Sequence, residues 1–98
     1  MIKIKVDKKN NKIEKISIIG HANFDNFGKD IVCAAVSSIA ITTVNAIERI
    51  DKESISYTEN PFEIKTLKEN EIINILLINM ISLLKELEHD YPKNIKFL

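Results

Sequence analysis

Ile16-Ser17-Ile18-Ile19-Gly20-His21-Ala22 and, after a short polar loop, Gly28-Lys29-Asp30-Ile31-Val32-Cys33-Ala34-Ala35-Val36-Ser37 decide the fold, because between them the chain passes from strand to helix. The first segment closes a strand-like run from Ile13 to Ile19. Gly28 breaks the structure that precedes it, Asp30 is a favoured N-cap, and an apolar helical run begins at Ile31. Cys33 therefore falls in the first helical turn, and His21 emerges at a strand end only a loop away.

Toward the start of the chain, Ile2, Ile4 and Val6 alternate with Lys3, Lys5 and Asp7, the period of a strand with one buried face. Lys8-Lys9-Asn10-Asn11 reads as the turn of a hairpin whose return strand, Ile13 to Ile19, loses its alternation near Glu14-Lys15 and so predicts a bulge. In the other direction, the helix from Ile31 runs to about Ile50 and is apolar on nearly all sides. Ala34, Ala35, Ala40 and Ala46 would admit close neighbours, so it is expected to be the central buried helix. Ser54 to Thr58 and Phe62 to Thr66 predict a second hairpin around Glu59-Asn60-Pro61. Asn70 caps a helix from Glu71 to about His89, with Ile72, Leu76, Met80, Leu83 and Leu87 as its apolar stripe, and Pro92 prevents its continuation. Ile95 and Phe97 predict a closing strand. The order ββαββαβ implies an α+β fold, a single domain over residues 1–98 with two helices packed with one small mixed or antiparallel sheet.

Composition narrows the function classes. The formal net charge is zero, with 14 basic and 14 acidic residues, which does not describe an electrostatic nucleic-acid binder. The one cysteine rules out an internal disulfide, and the alternating Lys and Ile at the start do not resemble a signal sequence, so a reducing cytoplasmic setting is expected. The apolar stretch from Ile72 to Leu84 is shorter than the roughly 20 residues of a membrane span and reads as a core helix. One Cys and two His at these spacings do not make a zinc site, and nothing calls for a cofactor.

The chemistry-bearing candidates cluster in the deciding stretch. A Cys and a His that share one loop and helix start are a candidate nucleophile and base. At a helix N-terminus the backbone N–H groups lack intrahelical partners and carry partial positive charge, which favours a thiolate and offers donors to an oxyanion. Cys33 taken alone reads first as a small buried hydrophobe, and His21 alone as a solvated loop residue. Asp30 is first a helix cap, although a carboxylate there could also orient an imidazole. Ser37 lies one turn beyond Cys33 and could bond the sulfur, a loop group or its own helix. Ala22, Asn23, Phe24, Phe27 and Gly28 form the intervening loop, whose two rings either line a substrate site as a lid or pin the loop to the core.

Gly20-His21-Ala22, Gly28, Asp30 and Val32-Cys33-Ala34-Ala35-Val36-Ser37 closely resemble the signature of the ribosomal-processing cysteine proteases, the Prp family, and Asn45-Ala46-Ile47-Glu48 is similar as well. The resemblance implies Cys33 as nucleophile and His21 as base, with Gly20, Asp30 and Ser37 at supporting motif positions. It further implies removal of the N-terminal extension of a large-subunit ribosomal protein, a homodimer, and a mobile loop between His and Cys. The segment Asn23-Phe24-Asp25-Asn26-Phe27 departs from the small, Gly- or Ala-containing loops common in that family. Two other classes remain open on the residues alone: a peptide- or ribosome-binding module that captures an extended segment, and a redox-sensing thiol protein.

Overall fold

The computed structural model describes residues 1–26 and 28–98. Its elements are β1 (Ile2–Lys9), β2 (Lys12–Ile19), α1 (Ile31–Asp51), β3 (Ile55–Glu59), β4 (Phe62–Thr66), α2 (Glu71–Asp90) and β5 (Ile95–Phe97). The strands form one five-stranded sheet in the order β3-β4-β2-β1-β5. Every pairing is antiparallel except that of β5 with β1, so the sheet is mixed and the α+β architecture expected from the sequence is the one found.

Local chemistry accounts for each element. The β1–β2 turn places Asn10 and Asn11 at φ 54° and 63°, the left-handed conformations that a tight hairpin matched to strand twist requires and Asn tolerates. Asp7 pairs with Lys15 and Lys8 with Ile13, which leaves Glu14 as an extra residue in β2, the bulge predicted there. That extra residue shifts the alternation by one, so Ile13 and Ile16 both face inward. β3 starts at Ile55, one residue later than the alternation implies, because Ser54 still belongs to the turn after α1. Its N–H and Oγ both donate to the Asp51 carbonyl, at 3.1 and 2.6 Å.

Both helices cover the same face of the sheet. Ile2, Ile4, Ile16, Ile64 and Ile95 from the strands join Val32, Val36, Val44, Leu77 and Leu84 from the helices in one core, while Lys3, Lys5, Lys65 and Lys96 occupy exposed positions between the inward ones. This layering corrects two expectations. α1 is not enclosed on all sides: it buries Val32, Val36, Ala40, Val44 and Ile47, while Ala34 is exposed and Ile31 is 58% exposed. A helix on one face of a single sheet necessarily keeps an outer side. By length and mean hydropathy of 1.7, α1 would pass for a membrane span, and here the same apolar residues serve a core stripe. In α2 the buried stripe is Ile73, Leu77, Met80 and Leu84, whereas Ile72 and Leu83 of the expected stripe are exposed. Consecutive apolar residues around α2 satisfy the three- and four-residue spacing in more than one phase, and packing against α1 and the sheet selects among them.

Candidate active site

The chain leaves β2 through Gly20, at φ 90°. A Cβ at that position would collide with the Met1 carbonyl oxygen, so only glycine lets the strand turn away beside β1. His21 follows and is exposed, and Ala22 then turns back into the core, 1% exposed. Beyond it Asn23 adopts φ 54°, and the Phe24 ring stands edge-on to Tyr91 with centroids 5.4 Å apart. The loop is knitted further by the Asn26 N–H, which donates to Asp25 Oδ1 at 2.7 Å, and by the Lys29 N–H, which donates to the Asn26 carbonyl at 2.9 Å. Gly28 has φ 86° and open space around it, so its conformation and not crowding calls for glycine. Phe27, expected as a lid or pocket ring, lies outside the described residues.

Asp30 joins loop and helix. Its Oδ1 accepts the N–H groups of Val32 and Cys33, both at 3.0 Å, and its carbonyl accepts that of Ala34 at 3.1 Å. Its Oδ2 accepts the Phe24 N–H at 3.0 Å. These donors, foremost the Cys33 N–H, hold the Asp30 carboxyl below its ordinary value against an opposing effect of desolvation. The same bonds narrow the expectation that the helix end offers its N–H groups to an oxyanion, since those of Val32 and Cys33 are already engaged by the cap. Nor does Asp30 orient the imidazole: among the described residues its carboxylate bonds are to backbone N–H groups of the helix and the loop, and the Cys33 side chain adds a smaller hydrogen-bond effect on it.

Cys33 is half-buried and packs on the core. Its Sγ accepts a hydrogen bond from the Ala22 N–H at 3.2 Å, so the loop delivers a backbone donor to the sulfur that the helix end does not. Among the described residues no hydrogen bond joins the His21 ring to Cys33, and Ser37, exposed one turn further along α1, makes none to the sulfur. His21 and Cys33 are thus linked through one peptide step, Ala22 following His21 directly and touching Sγ.

Two contributors carry no signal in the local sequence. Asn94, in the connection from α2 to β5, donates from Nδ2 to the Ala22 carbonyl at 2.9 Å, and Tyr91 supplies the ring that meets Phe24. An open cleft between the β1–β2 turn and the β4–α2 connection, lined by residues such as Lys12, Thr66, Asn70 and Asn74, involves none of these groups. Among the described residues no group of three or more His, Cys, Asp or Glu could hold a metal ion.

Known proteins place this geometry in context. The family model for cysteine protease Prp matches residues 1–96. A Staphylococcus aureus protein described as ribosomal processing cysteine protease Prp is 32% identical over 90 residues, covering 87% of this chain and 85% of its own. A Bacillus subtilis protein of the same description is 27% identical, covering 98% of this chain and 95% of its own. The crystal structure of the S. aureus protease with a covalently linked product peptide superposes with a TM-score of 0.87 at 29% identity, covering 99% of this chain and 97% of that one.

Proposed function

This chain belongs to the cysteine protease Prp family, and we propose that it cleaves the N-terminal extension from a large-subunit ribosomal protein in the cytoplasm, with Cys33 as nucleophile and His21 as base. The observation that carries the assignment of residues is the Ala22 N–H aimed at Cys33 Sγ at 3.2 Å, directly after His21 in the chain. The Cys33 thiolate attacks the scissile carbonyl carbon, and the carbonyl π electrons move to oxygen. As charge passes from sulfur to that oxygen, the Ala22 N–H passes with it, because a donor fixed beside the sulfur needs little movement to reach the new anion. The intermediate collapses to a thioester, the C–N bond breaks, and the leaving amine takes a proton from protonated His21. Neutral His21 then removes a proton from water, whose oxygen attacks the thioester to give a carboxylic acid and regenerate the thiolate. The His21 ring, exposed before substrate binds, turns onto the sulfur as the loop closes over an extended peptide.

Mass spectrometry of the wild type, Cys33→Ala and His21→Ala, each incubated with the ribosomal-protein precursor of the same host, tests this. One cut made by the wild type alone supports it. Equal cleavage by all three proteins refutes the assignment, and binding of the precursor without cleavage by any of them favours a binding module.

The same family membership supports a homodimer. Ile72, Ile75 and Ile78 on α2 are 59%, 57% and 50% exposed, an apolar outer face suited to a second copy. Ile75→Lys is expected to shift the sedimenting species from dimer to monomer, and a wild type that sediments as a monomer rules the dimer out.

A further inference from the structure

We infer that Asn94 is a positioning residue for the Cys33 thiolate, acting through the Ala22 backbone. The Asn94 backbone is tied on both sides: its N–H donates to the Tyr91 carbonyl at 3.0 Å and its carbonyl accepts the Ile2 N–H at 2.8 Å. With the backbone fixed, the side-chain amide reaches the Ala22 carbonyl at 2.9 Å, across 72 positions of sequence. Ala22 is then held at two points, its methyl in the core and its carbonyl on Asn94, and its N–H is left directed at Sγ at 3.2 Å. The neighbouring restraint has the same origin, since Tyr91, three residues before Asn94, receives the Phe24 ring. One turn at the end of α2 therefore holds the loop both at Ala22 and at Phe24, while Asp30 holds it from the helix side at the Phe24 N–H.

Loss of the Asn94 amide leaves Ala22 its methyl anchor but frees its peptide units to rotate, and the N–H then spends less time on the sulfur. With that donor loosened, alkylation of Cys33 near neutral pH is expected to slow about tenfold. Asn94→Asp, nearly the same in shape, removes the donor and sets an oxygen against the Ala22 carbonyl, so it should act at least as strongly as Asn94→Ala.

This inference rests on Cys33 being a reactive thiolate, and the test reads the thiolate without any peptide substrate. The rate of Cys33 alkylation by iodoacetamide is measured against pH for the wild type, Asn94→Ala, Asn94→Asp and a core control, Ile64→Val, with the Tm of each. The expected result is alkylation about tenfold slower in both Asn94 variants near neutral pH, converging on the wild type in alkali where every thiol is ionised. Ile64→Val should lose stability and keep the wild-type profile. Asn94 profiles that superimpose on the wild type while Tm falls overturn the inference, as does a slowing equal at every pH, which would report access to the sulfur. A wild-type thiol that alkylates like free cysteine overturns both this inference and the proposed nucleophile. Normal alkylation without peptide cleavage overturns the proposed substrate alone.

Discussion

The two helix starts of this protein are built alike and used differently. Asp30 caps α1 by accepting the N–H groups of Val32 and Cys33 on Oδ1, and Asn70 caps α2 by accepting those of Ile72 and Ile73 on Oδ1 at 3.0 and 3.2 Å. In each case the cap carbonyl accepts the N–H four residues on, from Ala34 and Asn74 respectively. The third helical position holds Cys33 in α1 and Ile73, fully in the core, in α2. What separates them is the second side-chain atom of the cap. Asp30 Oδ2 accepts the Phe24 N–H and so draws the preceding loop over the helix, which brings the Ala22 N–H to the sulfur. A helix end with two of its donors taken by the cap side chain is a structural device; the returning loop makes one of the two a candidate site.

The largest effect should come from exchanging the third-position residues for alanine. Cys33→Ala is expected to abolish cleavage with Tm nearly unchanged, and Ile73→Ala to cost about 2–5 kcal/mol of stability with near-normal cleavage per folded molecule. Peptide cleavage and thermal unfolding measured on both variants would break the contrast if Ile73→Ala lost activity beyond its unfolded fraction. Exchanging the caps should give a smaller, asymmetric result. Asp30→Asn keeps Oδ1 for the helix but turns an amide donor toward the Phe24 N–H, so the loop is released and kcat/KM falls about tenfold. Asn70→Asp retains the cap and adds a negative charge at a helix N-terminus, worth about 0.3–1 kcal/mol of stability with no change in activity.

Acid sharpens the same difference. Protons bind Asp30 more readily in the unfolded chain than in the folded one, because the Cys33 N–H and its neighbours hold the folded carboxyl below 3.8. Its contribution is therefore complete above about that pH and is lost as pH falls through the lower folded value. Unfolding followed between neutral and strongly acid pH should show a stability gap between the wild type and Asp30→Asn that closes on acidification. A gap constant with pH would mean that the charge of Asp30 is immaterial. This is the smallest of the effects expected.

Both caps, the element order and the bulge at Glu14 were legible in the sequence because each is signalled by neighbours within a few residues. The stripe that α2 buries was not, because Ile72 and Ile73 are equally apolar and only the partner surface distinguishes them. Cys33 could be placed in the first turn of α1 from Gly28, Asp30 and the apolar run that begins at Ile31, while the cap that reveals the helix start also engages the N–H groups of Val32 and Cys33. The donor that does face the sulfur belongs to Ala22, an apolar residue whose side chain gives no hint of the use made of its backbone. Asn94 was silent for a different reason, since its partner is 72 positions away and nothing near it marks a polar contact.

The parallel pairing of β5 with β1 also sets when the site can exist. Domains generally fold as units during synthesis, and here β1, β2 and α1 are made before the strand that pairs beside β1. The Ala22 carbonyl nonetheless waits for Asn94, which arrives after α2, just ahead of the strand that completes the sheet. A protease assembled in that order holds its thiol before it frames it, so a chain still being made carries Cys33 without an organised site around it.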